Sequence, residues 1–590
     1  MLRVSTPMVN LIPLTFPLQI KAQNLKKNRE RFSRWCSQLA FSLGLGIFAT
    51  FSATPALGAE QIAFWYSSFG EFYISIEDLE IFAQEGRITD EFAFYANRVP
   101  PEQLTKLRNL LNKRFDYSPI TVYKFTHSPA GEIILKKLGD ILKADFERNG
   151  FYALRASLNQ AAASQEGLTV VNFLRQFPLE TIQLDLEAVN QVINQLSLTL
   201  QQVGLVLGKI EEQAAIEAAA EPPVDFYTLP DLRLTGSQRW RKASFTFTNP
   251  RREEPVPFDI YLPTTPRAEL TQLIIISHGL GSNRNTFAYL AQHLASHGFG
   301  VAVLEHPGSS TQKLNRLFAG FDDPPEPEIL INRPLDIKYL LNELSAKAQS
   351  EPDRFGKLNL QSVGVIGQSL GGYTVLAAGG ATLNFPNLTT ECAQAEAGLS
   401  LNLSLLLQCQ ALDLPRTTTN LRDERVKAVI AINPVSSAIF GRQGMSQIQV
   451  PLMMISSTQD AFAPAAPEQF FPFLWLTTPN KYLVVTEGGT HFSFLGTKSR
   501  GAFNLPPELI GPDPMLAQPY LSALSTAFFK TYIANQPEYA VYLSEPYVKA
   551  ISEDPFNLIL VKDLTEAQIQ EVSDNTSRRE QEMENDSNDR

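Results

Sequence analysis

A serine between glycines stands at the end of an apolar run in the segment VGVIGQSLGGYT, residues 363–374. The run ends at Ile366, and the next five residues read G-x-S-x-G around Ser369. Gly367 and Gly371 leave room for a sharp turn between a strand and a helix, which would present the Ser369 hydroxyl as a nucleophile. A serine attacks a carbonyl only when a base removes its proton and N–H donors stabilise the oxyanion that forms. The remainder of the chain is therefore expected to supply a base, an acid and the donors.

A base and an acid follow the serine at the ends of later apolar runs. His491, in KYLVVTEGGTHFSF, is the one histidine after Ser369 in the sequence, and Asp460 closes the run PLMMISSTQD. The chain order serine, acid, histidine is that of a known nucleophile-elbow fold. We predict a catalytic triad of Ser369, Asp460 and His491, with Glu487 and Asp336 as the alternative acids.

The donors of an oxyanion hole are expected beside the serine and after an earlier strand. Leu370 follows the nucleophile, and QLIIISHGLGSN contains His278, Gly279, Leu280 and Gly281 directly after an apolar run. We predict that the backbone N–H groups of Leu280 and Leu370 bind the oxyanion. His278 is expected to support the loop rather than to carry a proton.

Other polar residues near these motifs have weaker assignments. Gln368 precedes the serine, and His306 follows the next apolar run in LEHPGSS. We assign both to the motif and its pocket, with a loop-fixing role as the alternative for His306. His293 and His297 stand four residues apart on an amphipathic pattern, a spacing that zinc sites also use. Because no third ligand is evident, we expect a solvated or packed pair and no metal site.

The elements that must hold these groups lie within residues 225–562, where short Ile/Val/Leu runs alternate with helical segments. Continuous apolar runs separated by helices are typical of a parallel sheet buried on both faces. Ligands gather at the carboxyl ends of such strands. ASFTFT and FDIYLP, joined by the polar NPRREEP, are predicted to pair as an antiparallel entry hairpin. We predict an α/β domain with a mostly parallel sheet.

The flanking segments have a different texture. Residues 60–208 show helical periods, with Ser75 as a helix N-cap before DLEIFAQEG, and predict a separate all-α domain. Residues 209–224 contain the alanine-rich EEQAAIEAAAEPP and are predicted to be a linker. Residues 563–590 are acidic and polar, which predicts a disordered tail.

The first 59 residues are typical of a secretory signal peptide. Seven basic groups and one acid precede the apolar stretch CSQLAFSLGLGIFATFSA, and small residues follow it. This order predicts cleavage near Gly58 or Ala59 and export to the periplasm or the exterior. An uncleaved membrane anchor is the alternative.

The net charge limits the kinds of partner that the protein can bind, and the cysteine count bears on whether it contains a disulfide. The formal net charge of −11 argues against a nucleic-acid partner, because such a partner requires a basic surface. Export would leave Cys392 and Cys409, which we predict to form a disulfide, with two buried thiols as the alternative. Both cysteines lie in residues 381–425, an unusually long connection that we predict to be a lid.

The motifs together resemble the α/β-hydrolase family, and within it the platelet-activating-factor acetylhydrolase-like and dienelactone-hydrolase-like members. The resemblance rests on SHGLGSN, EHPGSS, RPLDIKYLLNEL, GQSLGG, STQD and GGTHFSF. It implies the α/β-hydrolase fold and carboxylic-ester hydrolysis without metal or organic cofactor, with Ser369, Asp460 and His491 matching the triad positions. The segment from Glu60 looks like the domain of unknown function that precedes such hydrolases in exported cyanobacterial proteins.

The aromatic segment EQFFPFLWL after Asp460 bears on the substrate. A buried core segment is the simpler interpretation, and an apolar acyl pocket or a lipid-facing patch is the functional one. We predict apolar or lipid-like esters as substrates, with transient contact to a membrane or lipid surface. The alternatives are an acyltransferase, thioesterase or peptidase on the same triad, and a non-catalytic binding protein. The sequence does not indicate an oligomeric state.

Overall fold

The computed structural model describes residues 58–66, 70–145, 147–264, 269–398, 400–416, 419–496 and 507–569. The predicted signal peptide lies outside the described residues except for Gly58 and Ala59, and so does the acidic tail from residue 570 onwards. The described residues belong to one unit that begins at Gly58. None of the described helices combines the length and the hydropathy that a membrane span requires.

Residues 58–185, the N-terminal region, contain two small sheets. The strands are β1 Gln61–Trp65, β2 Glu71–Ser75, β3 Arg114–Phe115, β4 Leu142–Lys143, β5 Leu168–Thr169 and β6 Thr181–Leu184. Four of them form a mixed sheet in the order β2-β1-β6-β4, and β3 pairs with β5. The prediction of an all-α domain was wrong. These strands have at most five residues, and β1 pairs with β6 across a long sequence distance, so that no local pattern indicates them.

Helices pack around these small sheets. They are α1 Ile76–Glu85, α2 Asp90–Ala96, α3 Pro101–Asn112, α4 Pro119–Thr126, α5 Pro129–Ile141, α6 Phe151–Ala163 and α7 Val170–Arg175. The predicted N-cap is confirmed, because Ser75 Oγ accepts the Asp78 N–H at 3.4 Å. Gly86 ends α1 with a φ of 73°, a conformation that favours glycine.

A single long helix, α8 Leu186–Ala220, connects the N-terminal region to the rest of the chain. Val206 and Ile210 of this helix are fully buried in the core of the main sheet. The Glu217 carboxylate accepts the backbone N–H groups of Lys562 and Asp563, each at 2.9 Å. Most of the predicted linker is therefore packed helix, and the N-terminal region is not a separate domain.

Within the part of the chain that the structure describes, the main sheet has nine strands. They are β7 Trp240–Phe247, β8 Val256–Pro263, β9 Thr271–Ser277, β10 Gly300–Leu304, β11 Leu358–Gln368, β12 Val426–Ile432, β13 Leu452–Ser457, β14 Lys481–Glu487 and β15 Asn557–Val561. Their spatial order is β15-β14-β13-β12-β11-β9-β10-β8-β7. Strands β9 to β14 are mutually parallel, whereas β7 and β8 form the predicted antiparallel hairpin and β15 is antiparallel to β14. The α/β class is confirmed.

Helices cover both faces of the main sheet. They are α9 Ala288–Ser296, α10 Thr311–Phe318, α11 Ile329–Ser350, α12 Pro352–Phe355, α13 Leu370–Gly379, α14 Phe385–Ala397, α15 Leu405–Gln408, α16 Ser437–Met445, α17 Phe471–Leu474, α18 Pro507–Ile510, α19 Gln518–Tyr532 and α20 Glu545–Ile551. Alternate residues of β9 face different layers: Leu273 and Ile275 pack with α11 and α13, while Ile274 and Ile276 pack with α9 and α19. The sheet is thus buried on both faces, and its strand ends are the open edge.

Candidate active site

Ser369 lies at the carboxyl end of β11, in the turn that leads into α13. Its φ of 58° and ψ of −121° are strained for a residue other than glycine. A Cβ at Gly367 would lie 2.1 Å from the Gly371 carbonyl oxygen, and a Cβ at Gly371 would lie 2.1 Å from the Ser277 carbonyl oxygen. Both glycines are therefore sterically required, and the strand, turn and helix expected from the motif are present.

His491 and Asp460 meet beyond the carboxyl ends of β14 and β13, on the side of Ser369 where β12 lies. His491 follows β14 and Asp460 follows β13, and the distance from His491 Nδ1 to Asp460 Oδ2 is 2.6 Å. Because a carboxylate can only accept, Nδ1 carries the proton and Nε2 is the basic nitrogen of the neutral ring. Asp460 Oδ1 accepts the N–H groups of Phe462 and Ala463, each at 2.8 Å. The acid is thus held on both oxygens.

The two alternative acids have other partners. Glu487 accepts from Asn557 Nδ2 at 2.8 Å, and Asp336 lies in a separate buried network described below. Asp460 is therefore the acid that the structure pairs with His491.

Two amide side chains, at the carboxyl ends of β11 and β12, contact the histidine loop. Gln368 Nε2 donates to the His491 carbonyl oxygen at 3.1 Å, which gives the residue beside the nucleophile a positioning contact. Asn433, after β12, has a φ of 41° and donates from Nδ2 to Ser457 Oγ at 3.1 Å. Asn433 was not singled out in the sequence, because an asparagine after a strand is an ordinary turn residue.

Residues 278–283, which contain the predicted oxyanion donor Leu280 and are called the oxyanion loop here, pass directly beside Ser369. A Cβ at Gly279 would lie 3.3 Å from Ser369 Cβ. Gly281 has a φ of 73° and donates its N–H to the Ser309 carbonyl oxygen at 2.9 Å. Among the described residues, the backbone N–H groups of Leu280 and Leu370 have no backbone acceptor. These two donors are the ones that the sequence predicts for the oxyanion.

His278 is held as a neutral ring inside this loop. Its Nδ1–H donates to the Gly279 carbonyl oxygen at 2.7 Å, and its Nε2 accepts the His306 backbone N–H at 3.0 Å. Complete burial, followed by the nearby Arg333 charge, lowers the pKa of His278 well below its ordinary value. Both ring nitrogens are therefore engaged in supporting the loop.

His306 is fully buried and fixes the loop rather than lining a pocket. Its Nδ1–H donates to Asp336 Oδ2 at 2.8 Å, and its Nε2 accepts from Ser277 Oγ at 2.9 Å. Burial and the Arg333 charge lower the pKa of His306 well below its ordinary value. The pocket assignment of His306 is corrected, because Arg252, from the β7–β8 connection, covers it by pairing with Asp336 at 2.8 Å.

Arg333 on α11 extends this buried network to the oxyanion loop. It donates to Ser309 Oγ at 2.7 Å, to Thr374 Oγ1 at 3.0 Å and to Ser277 Oγ at 3.2 Å, and it also contacts the His278 carbonyl oxygen. Burial lowers the pKa of Arg333 to about 9. The sequence signal that could have indicated it is an arginine within the apolar face of RPLDIKYLLNEL, three residues before Asp336.

The insertion, residues 381–425, is held by an internal disulfide and by hydrogen bonds to the body of the protein. Cys392 and Cys409 form a disulfide with a Cα–Cα distance of 5.8 Å. Gln408 accepts the N–H groups that open α16, and the buried Glu468 accepts from Asn402 Nδ2 at 2.6 Å and from Gln408 Nε2 at 2.9 Å. The described part of the insertion is therefore bound to the body of the protein, and its role as a lid stays a prediction.

The remaining sequence features belong to the scaffold. Phe470 and Phe473 are fully buried and Phe471 and Trp475 pack against them, so the aromatic segment is core. The rings of His293 and His297 lie 4.7 Å apart, and burial lowers the pKa of His293 to about 4. No group of side chains suited to hold a metal ion occurs among the described residues.

Comparison with known proteins gives two family matches. Residues 58–185 match a family described as "Alpha/beta hydrolase of unknown function (DUF1400)", and residues 233–329 match "Platelet-activating factor acetylhydrolase, isoform II". No curated protein matches the sequence. The first match coincides with the N-terminal region, and the second runs from the entry hairpin through the oxyanion loop to the start of α11. Together the two matches support an α/β-hydrolase family for this chain, with a region similar to platelet-activating factor acetylhydrolase, and hydrolase as its broad activity class.

Proposed function

We propose that the protein is a serine hydrolase that cleaves carboxylic esters through a covalent acyl-enzyme, with Ser369, Asp460 and His491 as its triad. The observation that carries this proposal is the strained turn at Ser369, with the oxyanion loop beside it and the His491–Asp460 pair tied to β11 through Gln368. A nucleophile, an oriented base and two available N–H donors are the parts that acyl transfer requires.

The mechanism follows from which atoms are engaged. His491 Nε2 takes the proton from Ser369 Oγ as the serine attacks the ester carbonyl, and Asp460 stabilises the imidazolium that forms. The N–H groups of Leu280 and Leu370 bind the oxyanion. His491 then protonates the leaving alcohol, and a water activated by the same histidine releases the acid. None of these steps requires a cofactor.

We propose an apolar or lipid-like ester as the substrate. This choice is supported by the similarity to a family named for an acetylhydrolase of platelet-activating factor. A panel of esters that varies the acyl chain and the alcohol separately from short to long tests it, and activity confined to esters in which both parts are short would contradict it. Analysis of products with added alcohols, thioesters and peptides distinguishes hydrolysis from the alternative acyl-transfer reactions.

Labelling with a fluorophosphonate probe tests the nucleophile. We expect labelling of the purified chain and its loss in Ser369→Ala, with kcat lower by about 10⁴-fold or more. Ser362→Ala, on the same strand but away from the turn, is the matched control and should be labelled like the wild type. An unlabelled wild-type protein would refute the proposal and favour a binding role.

We also propose that the protein is exported to the periplasm or the exterior. It is supported by the basic and then apolar order of the leader and by the Cys392–Cys409 disulfide, because disulfides persist in oxidising compartments. N-terminal sequencing of the native protein should find a start near Gly58 or Ala59. An intact leader in the membrane fraction would support the anchor instead.

A further inference from the structure

The C-terminal end of α10 is capped by a residue of the N-terminal region. Thr121 Oγ1, on α4, donates to the carbonyl oxygens of Phe318 at 2.5 Å and Leu317 at 3.1 Å. These are the last two carbonyls of α10, and the Leu317 carbonyl also accepts the Gly320 N–H at 2.8 Å, so Thr121 adds a side-chain donor to the end of the helix. Thr121 is buried, so this cap lies inside a contact surface and not in solvent.

The same surface holds the turn that follows α10. Lys124 Nζ donates to the Asp322 carbonyl oxygen at 2.9 Å and pairs with the Asp323 carboxylate at 3.0 Å. A Cβ at Gly320 would lie 2.8 Å from Ile120 Cβ, so the turn after α10 and helix α4 are in close contact. A cation at the C-terminal end of a helix is favoured by the helix dipole.

The opposite end of α10 is joined to the oxyanion loop. Thr311 donates its N–H to the Ser282 carbonyl oxygen at 2.9 Å and its hydroxyl to the Gly281 carbonyl oxygen at 2.8 Å. In the turn before α10, the Ser309 carbonyl oxygen accepts the Gly281 N–H at 2.9 Å. An eight-residue helix, about 12 Å long, therefore connects the loop that carries Leu280 to the N-terminal region.

A second contact of the same kind reaches the insertion. Lys137 Nζ, on α5, donates to the Glu396 carbonyl oxygen at 2.9 Å and also contacts the Gly398 carbonyl oxygen. These carbonyls lie at the C-terminal end of α14, the helix that carries the disulfide-bonded Cys392. The N-terminal region thus caps one helix attached to the oxyanion loop and one helix of the insertion.

We propose that the N-terminal region is a positioning element of the active site, which holds the oxyanion loop in its working geometry by capping α10. This inference rests on the proposed function. The stabilisation of an oxyanion depends on where its N–H donors point, so release of α10 would displace Leu280 and weaken transition-state binding. Because the oxyanion forms only on the way to the tetrahedral intermediate, the ground-state binding of the substrate is expected to change little.

The test uses a double variant that removes both donors on α4, Thr121→Val with Lys124→Met, in the full chain. We expect kcat to fall about three- to tenfold, the range that one or two hydrogen bonds represent, with KM nearly unchanged. The affinity for a trifluoromethyl ketone, whose adduct carries an oxyanion, should fall by the same factor as kcat/KM. Thr121→Ser with Lys124→Arg keeps both donors and should restore the wild-type values.

The matched control is Thr105→Val with Lys106→Met on α3, where both side chains are exposed and bond only within their own helix. It should leave every value unchanged. Hydrogen exchange provides a readout that does not depend on activity: the α4 variant should exchange faster at residues 279–283 and along α10, and the control should not.

Two outcomes overturn the proposal. One is unchanged exchange at residues 279–283 in a folded α4 variant, and the other is a lower thermal midpoint with unchanged kcat and inhibitor affinity, which would indicate a purely structural contact. If the wild type hydrolyses no ester and binds no fluorophosphonate, the proposed function fails, and the exchange experiment still decides whether the N-terminal region holds the loop.

Discussion

Replacement of Asp460 by Asn tests the acid by inverting one hydrogen bond. Asp460 Oδ1 accepts two backbone N–H groups, and Asp460 Oδ2 faces His491 Nδ1 at 2.6 Å. In Asp460→Asn the amide oxygen must stay with the two backbone donors, so its NH₂ group faces His491. Nδ1 must then accept, the ring proton moves to Nε2, and the base that should deprotonate Ser369 is lost.

The expected loss in kcat is about 10⁴-fold, or about 5.5 kcal/mol of transition-state stabilisation, because the side chain keeps its size and only the tautomer changes. KM should change little, and the thermal midpoint should stay near the wild-type value. The assay is steady-state hydrolysis of a chromogenic ester together with thermal denaturation.

Substitution of the alternative acid provides the matched control. Glu487→Gln makes the same chemical change at a carboxylate whose partner is Asn557, and it should retain nearly full activity. Retention of more than about a tenth of the activity in a folded Asp460→Asn protein would refute the tautomer argument. Loss of activity in Glu487→Gln instead would identify the other acid.

Three further predictions concern the glycine turn, the disulfide and a buried histidine. Gly371→Ala would bring a methyl group to 2.1 Å from the Ser277 carbonyl oxygen, so we expect a loss of about 1–3 kcal/mol in the free energy of unfolding and no fluorophosphonate labelling; a labelled, fully stable variant would contradict this. Replacing both Cys392 and Cys409 by Ser should lower the free energy of unfolding by about 2–4 kcal/mol, and dithiothreitol should then have no further effect. Burial lowers the pKa of His293 from its ordinary 6.5 to about 4. The stability that the neutral ring contributes is therefore fully present above pH 6.5 and declines as the pH falls below 6.5. In urea denaturation the wild type and His293→Gln should show the same pH dependence between pH 8 and pH 7. Below pH 6.5 the slope should be smaller in His293→Gln, by a difference that approaches about 1.4 kcal/mol per pH unit, and equal slopes down to pH 5 would contradict the assignment.

The parts of the fold that the sequence predicts are those with a local signal. Each strand of the parallel sheet contains an apolar run, and the turn at Ser369 is defined by five residues of sequence. The pairing of His491 with Asp460 follows from strand ends that must meet at one edge of a parallel sheet.

The parts that escaped prediction depend on distant partners. In the sequence Arg252 is one of several charged residues in the polar β7–β8 connection. In the structure it pairs with Asp336, the residue that accepts from His306. Arg333 occupies a helix whose buried face cannot be known until the sheet beneath it is assembled. The short strands of the N-terminal region likewise become strands only by pairing with each other.

The long helix α8 has a consequence for how the chain is made. It precedes every strand of the main sheet in the sequence, yet its buried face packs on β15, which follows the other strands of that sheet. The Glu217 carboxylate of α8 likewise binds the N–H groups of Lys562 and Asp563, which follow β15. During synthesis the part of the apolar stripe of α8 that packs on β15 therefore stays uncovered until β15 leaves the ribosome. A nascent chain that pauses before β15 would expose this stripe to chaperones, and a shortened gene that starts after α8 would leave β15 without its cover.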